Sequence, residues 1–181
     1  MMIDPIRRPS KEILISEDRI QARVSELARE ISSDYAGSQV VLLAVLRGAV
    51  MFASDLLRKL DPALDPMLDF VTASSYGDGT VSSGKVRLLK NSDSSVASRN
   101  VLIVEDIVET GRTVEHIRNR VASAGALSVR TVTLLHKESE SGERPKLDYV
   151  GFSAPNLFVV GYGLDFAQRY RNLTDIRVLD D

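Results

Sequence analysis

Apolar residues along this chain fall into two spacings. In "SEDRIQARVSELAREISSDYAG" (16–37), Ile20, Val24, Leu27, Ala28 and Ile31 recur on one face of a helix. Ser16 is placed to cap that helix, Glu17 and Asp18 suit the positive end of its dipole, and Gly37 is a natural stop. The pattern then changes. "VVLLAVL" (40–46) is apolar without a break, as in a strand covered on both faces. "RGAVMFASDLLRKL" (47–60) returns to helical spacing through Phe52, Ala53, Leu56, Leu57 and Leu60. "MLDFVTA" (67–73) and "KVRLLK" (85–90) read as strands, separated by "SSYGDGTVSSG", whose glycines and serines predict a hairpin or a mobile loop. After the polar link "SDSSVASR", "VLIV" (101–104) is the sharpest strand signal. "TVEHIRNRVASAGA" (113–126) predicts a helix with Val114, Ile117 and Val121 on one side and Gly125 at its end. "VRTVTLL", "LFVVGY" and "IRVL" are three further strands.

Strand, helix and strand alternate from 40 to 135, which predicts an α/β fold with a largely parallel sheet flanked by helices. The expected organisation is one domain, 1–181, with a core over about 37–150 and a small hood built from the N-terminal segment and 151–181. In such sheets, ligands bind beyond the carboxyl ends of the strands.

Composition narrows the functional classes. A hydrophobic fraction of 44% and a charged fraction of 27% fit a folded chain. A net charge of −2 gives no overall basic field, so neither a nucleic-acid nor a membrane-surface partner is expected. The absence of cysteine excludes disulfides, thiol catalysis and cysteine-bound zinc. "MMIDPIRRPSKEILIS" lacks the apolar run of a signal peptide, and "VVLLAVL" is too short to cross a bilayer, so a cytoplasmic location is expected. The two histidines, His116 and His136, have no metal-ligating partner at useful spacing and are read as structural.

Candidate chemistry concentrates in "VLIVEDIVETGRT" (101–113). Glu105, Asp106 and Glu109 cluster where a buried strand ends, and such like charges need a cation, a proton or a ligand to compensate them. Thr110, Gly111 and Thr113 follow at a helix N-terminus, where unsatisfied N–H groups and the dipole both favour a phosphate. The segment is neither a Walker A loop nor a GxGxxG turn. Carboxylates beside a phosphate turn suit sugar hydroxyls or Mg²⁺ between them, the plainer alternative being an acidic loop with Thr113 as an ordinary cap.

This segment closely resembles the phosphoribosyl-diphosphate (PRPP) signature of the type I phosphoribosyltransferases. "LLAVLRGAVMFASDL", "SSYGDGT", "TLLHKES" and "DYVGFSAPNLFVVGYGLDFAQRYRNL" resemble, in order, further motifs of the hypoxanthine-guanine branch of that family. The resemblance implies purine salvage: transfer of the phosphoribosyl group of PRPP to hypoxanthine or guanine, giving IMP or GMP and pyrophosphate, with Mg²⁺ as cofactor. It implies PRPP binding along Glu105, Asp106, Ile107, Val108, Glu109, Thr110, Gly111, Arg112 and Thr113, with the 5′-phosphate on 109–113. Glu105, Asp106 and Asp165 become the expected metal ligands. Glu109 takes the position of the general base for purine N7, where the family usually has Asp.

Arg47 and Gly48 match a pyrophosphate loop that acts through its backbone, often across a non-proline cis peptide, and Arg171 would contact the pyrophosphate too. Lys137 would donate to the 6-oxo group, Phe158 would stack on the purine, and Val159 would meet its edge through the backbone, beside Asp165. Ser75 and Tyr76 stand at the root of an expected lid. Relatives form dimers or tetramers, so a homo-oligomer is implied. Two alternatives stay open on the sequence: an RNA-binding regulator of the same superfamily, and a different base specificity such as xanthine or a pyrimidine.

Overall fold

A computed structural model describes residues 8–73, 86–88, 96–137 and 145–180, with the backbone alone at 86–88. In chain order the elements are β1 (Pro9–Ile15), α1 (Glu17–Asp34), β2 (Val40–Leu46), α2 (Val50–Leu57), β3 (Met67–Ala73), β4 (Val86–Leu88) and β5 (Asn100–Val108). They are followed by α3 (Arg112–Ser123), β6 (Ser128–Lys137), β7 (Tyr149–Ala154), β8 (Val159–Val160) and β9 (Ile176–Leu179).

Six strands form the main sheet in the order β4-β3-β2-β5-β6-β7. Its five strands β3, β2, β5, β6 and β7 are parallel, and β4 joins β3 antiparallel at one edge. The unbroken apolar run of β2 is explained by burial on two sides. Val40, Leu42 and Ala44 join the core under α1 and α2, while Leu43 and Val45 pack with Ile117 and Val121 of α3 on the opposite face. Side chains alternate across a strand, so a doubly covered strand must be apolar at every position. The fully buried Phe52, Leu56, Leu27 and Ile31 dominate the first core, each contributing about 1.5–3 kcal/mol of transfer free energy.

A second sheet has three antiparallel strands in the order β1-β9-β8 and forms the hood. The predicted helices are present with adjusted ends: α1 stops at Asp34 ahead of a left-handed Gly37 (φ +76°), and α2 stops at Leu57 rather than running on to Leu60. Ser16 sits at the N-cap position of α1, but its side chain accepts no capping hydrogen bond. Two strands add to those the sequence predicts. β1 is a half-exposed edge with no clean alternation, and β7 lies at the far edge of the main sheet. The expected core boundary at 150 falls inside β7, because its pairing with β6 continues to Ala154. "LFVVGY" yields only the two-residue β8, since Gly161 and Gly163 both take left-handed φ and turn the chain.

Candidate active site

The order of the sheet creates the site. From β2 the chain moves through α2 to β3 on one side, and later returns to place β5 on the other side of β2. Crossovers leaving in opposite directions open a crevice at the carboxyl ends of the two central strands. Pairing of β5 with β2 ends at Val104, while pairing with β6 continues to Val108. Glu105 and Asp106 therefore stand near the end of β5, freed from β2 and held by β6. A cleft of about 490 Å³ opens there.

Three segments meet at its floor without room for a methyl group. A Cβ on Gly48 would overlap the Asp106 carboxylate, and a Cβ on Gly163 would overlap the Gly48 carbonyl oxygen. The Leu46–Arg47 peptide is cis. Gly111 serves a comparable purpose at the phosphate turn: it is the N-cap of α3 with φ +74°, and a side chain there would run into Pro145. No side chain caps this helix, which leaves its first-turn N–H donors available to an anion.

Glu105 and Asp106 are both buried. Burial, and then the neighbouring charge of Asp106, holds the Glu105 carboxyl well above its usual range. Burial also raises Asp106, opposed by backbone N–H groups, Glu105 and the Arg171 guanidinium. Glu105 Oε2 has no hydrogen-bond partner. A buried, unpartnered carboxyl oxygen beside a second carboxylate suits a hard cation. No three candidate ligands converge among the described residues, so such a cation would take one or two carboxylates and complete its shell with substrate oxygens and water, as Mg²⁺ does.

Lys137 ends β6 beside the same cleft. Burial lowers its pKa, and the charge of Glu109 works in the opposite direction. Phe158 is 49% exposed. It meets Phe166 edge to face, with centroids 5.8 Å apart at 88°, so it is not core packing and keeps surface open to a planar ligand. In the hood, Arg171 donates to the Gly163 carbonyl at 2.7 Å and pairs with Asp165 Oδ1 at 2.6 Å. Asp165 Oδ2 accepts from the Gln168 N–H at 2.8 Å. Arg47 reaches across from the end of β2 to donate to Gln168 Oε1 at 3.0 Å.

The cleft is lined by Arg47, Gly48, the whole of 105–113, Lys137, Phe158, Val159, Asp165 and Arg171. Arg171, not its neighbour Arg169, faces the cleft. Ser75 and Tyr76 lie outside the described residues. Leu164 and Val114 also line it and Gln168 borders it, none of them expected from the sequence. The glycines around Tyr162 hint at a close approach, but nothing local points to Gln168.

Residues 11–167 match the family model of the phosphoribosyl transferase domain. A hypoxanthine-guanine phosphoribosyltransferase of Bacillus subtilis is 45% identical over 169 residues, covering 93% of each chain. This chain belongs to the phosphoribosyl transferase family. A bifunctional TilS/HprT protein of Listeria innocua is 47% identical over 93% of this chain, which spans only 26% of that relative's length. Among solved structures, a hypoxanthine phosphoribosyltransferase of Staphylococcus aureus superposes with a TM-score of 0.84 at 40% identity, covering 94% of this chain and 91% of that one. The family's parallel sheet, flanking helices and separate antiparallel sheet are all present here. Among the described residues, no helix is long and apolar enough to cross a membrane.

Proposed function

We propose that this phosphoribosyl transferase is a purine-salvage enzyme that joins hypoxanthine or guanine to PRPP, forming IMP or GMP and pyrophosphate. One observation carries the reading. Five separate stretches of the sequence, at 47–48, 105–113, 137, 158–159 and 164–165 with Arg171, line one cleft at the sheet's switch point.

The role of each follows from its chemistry. The uncapped first turn of α3 receives the 5′-phosphate. Lys137 can only donate, so it prefers the 6-oxo group of hypoxanthine or guanine to the amino group of adenine. Phe158 stacks on the purine and Val159 meets its edge. The bond from purine N9 to the ribose C1′ forms as the bond from C1′ to pyrophosphate breaks, and Glu109 takes the proton released at N7. Arg47, Gly48 and Arg171 receive the departing pyrophosphate. Glu105, Asp106 and Asp165 would hold Mg²⁺, which supplies charge neutralisation for the leaving group. Asp165 already gives an oxygen each to Arg171 and to the Gln168 N–H, so its share comes from remaining lone pairs. We further assign 1–181 to one phosphoribosyltransferase domain acting in the cytoplasm as a homo-oligomer, as the sequence resemblance implies.

Steady-state turnover of hypoxanthine, guanine, xanthine, adenine and uracil with PRPP tests the reading. Hypoxanthine and guanine should be the good substrates. Preference for adenine or uracil would overturn it.

A further inference from the structure

We propose that Gln168 is a positioning residue that joins Arg47 and Arg171 into a single pyrophosphate pincer. The inference rests on the reading of both arginines as pyrophosphate contacts. Arg47 stands at the end of β2 in the main sheet, and Arg171 stands in the hood. One amide oxygen, Gln168 Oε1, accepts from Arg47 Nη1 at 3.0 Å and from Arg171 Nη2 at 3.3 Å. Arg171 is already held by the Gly163 carbonyl and Asp165, and the shared amide oxygen draws Arg47 to it against like-charge repulsion and side-chain entropy. A neutral acceptor between them keeps both forks converging and adds no negative charge beyond that of Asp165. The choice of amide over carboxylate matters here, because a carboxylate at this position would offset the positive pair and repel an anion.

The backbone at this position supports a purpose other than packing. Gln168 is exposed, and its φ is +66°. Ala167 and Tyr170 are left-handed as well, at +50° and +74°. Non-glycine residues in that region cost on the order of 1 kcal/mol or more and gather where a site needs them. Glycine would relieve the strain at 168, so a residue kept only to make the turn has no reason to be glutamine. The Gln168 N–H donates to Asp165, whose carboxylate in turn pairs with Arg171, and this fixes where the amide side chain starts.

Two variants separate positioning from folding. Gln168→Gly removes the acceptor and relieves the backbone, so its melting temperature should hold or rise. In the reverse reaction of IMP with pyrophosphate, its KM for pyrophosphate should rise about three- to tenfold, within the range of partly exposed charged hydrogen bonds, with little change in KM for IMP. Gln168→Glu should raise the pyrophosphate KM further, and that excess should shrink at high salt because repulsion between exposed charges is screened. Calorimetric titration with pyrophosphate should show the same order of affinities without turnover. Wild-type turnover together with pyrophosphate constants within twofold in both variants would overturn the pincer alone. A wild type that does not turn over IMP and pyrophosphate would overturn the functional reading and take the pincer with it.

Discussion

Replacing Glu105 by glutamine exchanges a buried carboxyl, with one oxygen unpartnered, for an amide of the same shape. Burial raises the pKa of Glu105 in the fold, so its neutral form is the comfortable one. Its contribution to stability is complete below the unfolded pKa and is lost as pH rises through the higher folded value. Glu105→Gln carries no such loss. Without ligand, its melting temperature should exceed that of the wild type by a margin that widens from about pH 5 to about pH 8. A margin that is constant or narrows, read by scanning fluorimetry across that range, would contradict the burial argument. Glu109 poses a different question, since the family usually has aspartate there. One added carbon extends the carboxylate by roughly 1.5 Å, and a positioned group displaced by about 1 Å can lose on the order of 100-fold. If this site is built around the longer arm, Glu109→Gln should lower kcat by about 10²–10⁴-fold, the usual worth of a general base. Glu109→Asp should lose activity too. Single-turnover kinetics isolates the step, and a Gln variant at the wild-type rate would rule Glu109 out as base.

Among the elements, Arg118 ties α3 to the sheet by hydrogen bonds. Arg118 donates to the Val129 carbonyl at 2.9 Å, Thr131 Oγ1 at 3.0 Å and Asp148 Oδ2 at 2.8 Å. Asp148 also accepts from the Thr131 N–H at 2.7 Å. Both charged side chains are mostly covered, at 18% and 23% exposure, so this pair is worth more than a solvated one. Arg118→Ala should cost about 2–3 kcal/mol, because it leaves several acceptors without their charged donor. In a double-mutant cycle, Asp148→Ala should add less than its single cost, and strict additivity in urea melts would show the two act separately. The same elements show what a sequence makes legible. β3 and β9 are legible to the residue because their apolar blocks end at polar or turn residues. The polar "PSKE" half of β1 hides that strand, since an edge exposed to water needs no alternation. β7 carries Gly151, which a methyl could not replace because the Leu134 carbonyl would lie 2.5 Å away, so packing rather than strand propensity chose that residue. At the site, the nine residues 105–113 are legible because strand end, carboxylates and helix cap are contiguous. The bond between positions 47 and 168 is written in no local pattern.

Across the molecule, ligand binding joins the sheet's crevice to the hood, so it should stabilise both together. PRPP with Mg²⁺ should raise the melting temperature, whereas PRPP in EDTA should not, because Glu105, Asp106 and Asp165 then face its negative charge uncompensated. At about a hundredfold excess over Kd the gain is roughly 2.7 kcal/mol, or about 5–10 °C for a chain of this size. Equal protection with and without metal would remove that electrostatic account. The strand order of the hood also sets a timetable. In the order β1-β9-β8, the central strand is the one made last, and the two strands it joins have no partner in that sheet until it arrives. On the ribosome, the main sheet through β7 can be complete while β1 still waits for β9 to be made. The strands that carry the phosphate turn can thus pair before the hood strand leading from Phe158 finds its partner in β9. A protease that trims a few residues from 176–179 would take out the middle of the hood rather than its rim.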